Sequence, residues 1–238
     1  MAQMSVHATT TGQTHDRAPQ PRDAMATILP PDAIAIESWG DDPDAHLLPE
    51  EAALIGGAVE GRRREFATGR SLARRALARL GCADVPILPG PNREPQWPPG
   101  VVGSITHCAG YRAAVVAAAA SLATIGIDAE IHAALPHGIA ERVCREEERL
   151  WIHTRADAGV WWDRLFFSAK ESVFKAWFPV TGAWLGFHDV TMTVDADART
   201  FVARLAIPPP TVNGREISAF DGRYLVRDGF VFTSATLC

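Results

Sequence analysis

The chain has 238 residues, 47% of them hydrophobic and 21% charged, which is the balance of an ordinary globular protein and excludes a fibre or a wholly disordered polymer. Its 23 Lys and Arg against 28 Asp and Glu leave a net charge of −5, too mild an imbalance for nucleic acid or an anionic membrane to be the main partner, so any anion must be held by a local basic patch. The most apolar run, 113–120, is far shorter than the ~20 residues that cross a bilayer, and four scattered cysteines without a C-x-x-C pair argue against zinc and suit a reducing, cytoplasmic setting.

Residues 1–24, rich in Ala, Thr, Gln, His and Pro and without an apolar signal core, read as a disordered tail, with Met25 an alternative start. A first strand over 33–39 ends at the turn-forming Gly40-Asp41-Asp42-Pro43. The helical region over 49–81 opens on acidic residues, closes on Arg74, Arg75 and Arg79, and takes Gly81 as its cap, with Gly56-Gly57 and Gly69 as breaks or bends. Closely spaced prolines make 86–99 a loop or linker. Residues 101–107 and 112–119 form a hairpin about Cys108-Ala109-Gly110, and 124–130 is a third strand. Helical periodicity returns over 138–150 and again from Trp161 to Pro179, followed by β-prone runs at 189–194, 201–207 and 230–232. Strand, helices and antiparallel strands thus occur twice, without a residue-level repeat.

Three groups of residues carry chemistry. Asp128 and Glu130, two apart in a strand, leave the same face with Cα atoms roughly 6 to 7 Å apart, so one hard cation can contact both; the same pattern also describes the wet end of a strand. Lys170, Glu171 and Lys175 share one side of an amphipathic helix, where two ammonium groups beside a carboxylate suit phosphoryl chemistry. Locally they read equally as a Ser168/Glu171 capping box and a Glu171/Lys175 i,i+4 pair. Thr106 and His107 close a strand beside Gly103, and Arg62, Arg63, Arg64, Arg70, Arg74 and Arg75 make the first helical region basic, which favours an anionic ligand nearby.

Taken together, Gly103-Ser104-Ile105-Thr106-His107-Cys108, Gly126-Ile127-Asp128-Ala129-Glu130 and Phe167-Ser168-Ala169-Lys170-Glu171-Ser172-Val173-Phe174-Lys175-Ala176 resemble, in order and spacing, the motifs of 4′-phosphopantetheinyl transferases. The likeness is to the monomeric branch with the surfactin-type enzymes and the enterobactin-synthase component D group, actinobacterial members in particular. It implies an α/β (α+β) fold of two similar halves related by a pseudo-twofold, 25–125 and 126–238, with coenzyme A as substrate in the cleft between them and Mg2+ on its pyrophosphate. Carried over by resemblance, Asp128, Glu130 and Glu171 are the metal ligands, with Glu171 also a base for the acceptor serine. Lys175 stabilises the leaving adenosine 3′,5′-bisphosphate, and Arg62, Arg70, Arg93, Thr106, His107 and Lys170 are phosphate contacts. The implied partners are apo acyl, aryl and peptidyl carrier proteins. Two departures stand out: Ala129 offers no ligand between the two carboxylates, and Asn92 occupies a position where the family's basic residue can sit in place of Arg93.

Overall fold

The structure is a computed structural model that describes residues 23–155, 159–212 and 214–237. Strands β1, Ile34–Ser38, β2, Val101–Cys108, and β3, Tyr111–Ala118, form an antiparallel sheet in the order β1-β3-β2. Central strand β3 is apolar along nearly its whole length because both faces are covered. Ala114 and Val116 face Leu72, Ala73, Ala76 and Leu77, while Tyr111, Ala113 and Val115 enter a second core with Ile125, Ile127, Ala129 and Phe232.

The expected helical region over 49–81 is two helices, α1, Pro49–Ile55, and α2, Glu60–Arg79, parted at Gly56-Gly57. Gly69 does not break α2; it sits against Ile105 of β2. The proline-rich segment is a loop closed by a single bridge between Pro89 and Pro95.

The second sheet holds β4, Ile125–Ile131, β5, Val190–Asp195, and β6, Thr200–Leu205. Two further strands, β7, Thr211–Val212, and β8, Arg215–Glu216, pair only with each other. With β9, Ala219–Arg227, and β10, Phe230–Leu237, the second sheet runs antiparallel in the order β4-β10-β9-β6-β5. Strand β9 has no counterpart among the expected β-prone runs, although Phe220, Gly222 and Tyr224 are buried and alternate with exposed Asp221 and Arg223.

Three more helices cover this sheet. The periodic stretch over 138–150 is split into α3, Ala140–Val143, and α4, Glu146–His153, because Cys144 and Arg145 are extended and the Glu148 carboxylate accepts the N–H of Arg145 at 2.8 Å to start a new helix. Helix α5, Trp162–Thr181, runs past Pro179, where the sequence placed its end. That proline forfeits only one backbone bond near the terminus, and Gly182 stops the helix at φ 62°, its N–H bonding Phe178 O at 2.8 Å. Trp177, Phe166 and Val173 of α5 are buried against Phe201, Phe220 and Val231, each large side chain contributing about 1.5 to 3 kcal/mol.

The N-terminal 3-10 turn Met25–Ile28 is part of the second core. Glu37 accepts the N–H groups of Ala24 and Met25, and Ser234 of β10 donates to Ile28 O at 2.7 Å. The tail expected over 1–24 lies outside the described residues as far as 22, but Ala24, assigned to it, is fully buried. Among the described residues no helix is long and apolar enough to cross a membrane.

Candidate active site

Helix α5 lies on β4 with matched periodicities. Two strand residues rise about 6.6 Å and four helical residues about 6.0 Å. Accordingly Gly126 meets the backbone of Ser172 and Ala176, Asp128 meets Ser168, and Glu130 meets Arg164. The approach is possible because Gly126 has no side chain: a Cβ there would stand 1.9 Å from Ser172 O. One face of β4 therefore presents Gly126, Asp128 and Glu130 to the helix, while Ile125, Ile127 and Ala129 supply core on the other.

Asp128 is 5% exposed and both its oxygens are engaged. Ser168 Oγ donates to Oδ2 at 2.8 Å, and Oδ1 takes Lys175 Nζ at 2.8 Å and Thr106 Oγ1 at 3.3 Å. Thr106 also accepts the N–H of Ala129 at 3.1 Å, so the first sheet is fastened to β4 at the residue beside the carboxylate. Glu130 pairs with Arg164 at 2.9 Å; burial and the nearby Asp128 charge raise its pKa above the usual carboxylate range, against the pull of Arg164. Burial likewise raises Glu171, with Lys175 opposing and Asp128 adding to the effect.

Glu171 and Lys175 line a cleft of about 340 Å³ together with Arg93 and Ser104 and with Phe174 and Trp184, whose rings are tilted by 58° to one another at 5.0 Å between centres. Arg93 reaches the rim from a tight turn in which it adopts φ 69°. Arg62 and His107 make a separate cluster on α2 and the end of β2, with His107 Nε2 3.5 Å from Arg62 Nη1. Burial, together with Arg62, Lys175 and Arg112, lowers the His107 pKa against the opposing charge of Glu65.

Of the six expected phosphate contacts only Arg93 lines the cleft; Arg62, Thr106 and His107 lie outside its lining, and Lys170 and Arg70 are buried on their helices. Lys170 is 3% exposed, and its ammonium is saturated inside the C-terminal core by Glu148 at 2.7 Å and the carbonyls of Val143, Phe187 and Val190 at 2.9, 2.9 and 3.2 Å. It is a structural cation, because one residue's step along a helix turns the side chain ~100° away from Glu171. Arg70 is buried on α2 with its guanidinium 4.5 Å over the Phe66 ring, and burial lowers its pKa to about 10 despite Glu51. It does not line the cleft.

Known proteins give this arrangement a context. A family model described as the 4′-phosphopantetheinyl transferase N-terminal domain matches residues 50–117, and one for the 4′-phosphopantetheinyl transferase superfamily matches residues 124–222. The 4′-phosphopantetheinyl transferase Svp of Streptomyces mobaraensis is 49% identical over 215 residues, 88% of this chain and 87% of that protein. PptT of Mycobacterium tuberculosis is 42% identical over 221 residues, covering 90% and 97%, and Npt of Nocardia iowensis is 44% identical over 218 residues, covering 88% and 98%. The chain belongs to the 4′-phosphopantetheinyl transferase superfamily.

In this phosphopantetheinyl transferase the expected metal ligands Asp128, Glu130 and Glu171 share one region, each of the glutamates feeling the charge of Asp128. They do not form a ready-made metal cage: among the described residues no three His, Cys, Asp or Glu side chains gather closely enough to hold an ion. The reason is local, since Lys175 and Arg164 already sit on Asp128 and Glu130. The donor set itself is all oxygen, and the raised pKa values of Glu130 and Glu171 mark a place where added positive charge is favoured, so the residues suit a hard divalent cation. Sequence reasoning missed Ser168 as the partner of Asp128, Arg164 as that of Glu130, and Glu65 beside His107. Only Arg164 carried a local signal, four residues before Ser168 on the same helical face.

Proposed function

We propose that the chain transfers 4′-phosphopantetheine from coenzyme A to a serine of apo acyl, aryl and peptidyl carrier proteins of polyketide, nonribosomal peptide or fatty acid synthases, with Mg2+ and with release of adenosine 3′,5′-bisphosphate. Beyond family membership, the observation that carries this reading is the placement of Glu171 and Lys175, one turn apart on the cleft wall, against Asp128 on β4. The serine oxygen attacks the β-phosphorus; a new P–O bond forms as the bond to the bridging oxygen breaks. Glu171 takes the serine proton as the general base. Lys175 offsets the negative charge that grows on the leaving phosphate. Asp128, Glu130 and Glu171 would hold Mg2+, which when bound supplies Lewis-acid polarisation of the pyrophosphate. Arg93, His107 and Arg62 would bind phosphate oxygens, whereas the expected contact from Thr106 is not kept, because its buried hydroxyl already donates to Asp128 and accepts the N–H of Ala129.

The reading extends to two halves, 25–125 and 126–238, in a monomer working in the cytoplasm; the free thiols of Cys82, Cys108 and Cys144 accord with a reducing compartment. The test is incubation with coenzyme A, Mg2+ and an apo carrier protein, followed by mass spectrometry of the carrier. A gain the size of phosphopantetheine is expected. Phosphate release without carrier modification would instead identify a phosphohydrolase, and binding without either change a recognition module.

A further inference from the structure

Glu65 of α2 stands among basic groups from three elements. Its carboxylate pairs with Arg62 one turn back, lies 3.3 Å from His107 Nδ1, and is 3.9 Å from Arg112 Nη2. Arg112 is itself fixed by the carbonyls of Cys108 and Tyr111 and by Asp41 at 2.9 Å. The other ring nitrogen of His107, Nε2, faces Arg62 Nη1 at 3.5 Å. A carboxylate only accepts and a guanidinium only donates, so both contacts of the ring are satisfied together by one neutral tautomer, with the hydrogen on Nδ1 and the lone pair on Nε2.

We infer that Glu65 is a positioning residue for phosphate recognition: by accepting Nδ1–H of His107 it turns Nε2 outward beside Arg62 and lets that nitrogen take a proton from solvent as a phosphate oxygen arrives. The inference rests on the assignment of coenzyme A as substrate in the reading above. Its charge logic is local. Arg62, Arg64 and Arg112 are met by Glu65, Asp41 and Glu60 in the free protein, so a proton gained by His107 supplies the extra positive charge that a phosphate needs. Of the groups facing the imidazole, Arg62 on α2, Arg112 on β3 and Lys175 on α5 oppose that proton, and Glu65 favours it. A carboxylate behind a histidine is a common means of fixing ring orientation and raising the basicity of the outer nitrogen.

Two variants of the full chain separate geometry from charge. Glu65→Gln keeps an acceptor for Nδ1–H and removes the charge; Glu65→Leu removes both. In the free protein, 15N shifts of the His107 ring, assigned by loss of the signal in His107→Gln, should report the Nδ1–H tautomer in the parent and in Glu65→Gln, but not in Glu65→Leu. In steady-state transfer, KM for coenzyme A should rise as pH increases through the titration of His107 in the complex. Glu65→Gln should move that rise to lower pH and increase KM about tenfold at neutral pH, the scale of one charge-assisted hydrogen bond, with kcat within about threefold. An Nε2–H tautomer in the parent, or a KM profile unchanged or lowered in Glu65→Gln, overturns the inference. The ring assignment needs no activity, so it still decides the positioning role of Glu65 if transfer itself is absent.

Discussion

Lys175 holds Asp128 Oδ1 at 2.8 Å while also donating to Ile127 O at 3.1 Å, so the cation of the helix motif is fastened to the carboxylate of the strand motif. A cation held there by three oxygens, counting Thr106 at 3.5 Å, is oriented before any ligand arrives. Orientation of this kind pays no reorganisation cost when charge develops on a leaving group.

Lys175→Ala should therefore lower kcat about 10²- to 10³-fold with a much smaller change in KM for coenzyme A, because the demand for its charge peaks in the transition state. Steady-state kinetics over a range of coenzyme A concentrations check this. Equal loss in kcat and in binding would reduce Lys175 to a ground-state contact.

Asp128→Ala and Glu171→Gln should each reduce transfer by about 10³-fold or more, the scale for losing a central acid, base or electrostatic group, while circular dichroism stays that of the folded chain. Ser168→Ala, which frees Asp128 Oδ2, should cost only about tenfold, as expected for one lost hydrogen bond to a charged group. Near-parental turnover in the first two variants would remove the carboxylates from the mechanism.

Lys170→Met should destabilise the fold by about 3 to 5 kcal/mol, since it leaves the Glu148 carboxylate buried without its counter-ion. Adding Glu148→Gln should recover part of the loss, because an amide buries no charge, although its single oxygen can keep only one of the N–H groups of Arg145 and Met192 that the two carboxylate oxygens accept. Urea unfolding of the single and double variants measures both effects.

Cys144 offers a test in pH. Burial, reinforced by the neighbouring Glu148, pushes its thiol from 9.0 up to about 12. A folded-state value above the unfolded one gives a stability contribution that is complete below about pH 9 and is lost as pH rises toward 12. Unfolding free energy measured from pH 8 to 11 should fall less steeply in Cys144→Ala than in the parent chain. A thiol-specific reagent at pH 8 should label Cys82 in the native protein and reach Cys144 only on unfolding.

The hairpin β2–β3, strand β4 and helix α5 were legible because turn residues, alternation and helical spacing act over a few neighbours. What escaped depends on contacts between elements. Ser168 and Glu171 have the spacing of a capping box, yet Ser168 lies well inside α5, where no backbone N–H awaits a cap, and its hydroxyl turns to Asp128. Glu171 and Lys175 have the spacing of an ion pair, yet Gly126 brings β4 so near that Lys175 reaches the strand carboxylate instead. Lys170 adjoins Glu171 in sequence and points into the core, and Glu65, amid arginines, looks like any solvated helix charge until the end of β2 is placed beside it. The carboxylates expected to hold a metal stood out only through two motifs read together; either one alone fits ordinary surface chemistry.

The antiparallel order of the second sheet sets a timetable for the nascent chain. Strand β4 emerges from the ribosome carrying Asp128 and Glu130, but its partner β10 follows only after roughly a hundred further residues. At about 5 to 20 residues per second the edge of β4 waits on the order of 5 to 20 s for that partner. Until β10 slides between β4 and β9, the acidic strand has an open flank, and the Thr233 hydroxyl that bonds Ser168 beside Asp128 is missing. The surroundings of Asp128 are therefore completed only when β10 docks, and a change in β10 would disturb chemistry encoded roughly a hundred positions earlier.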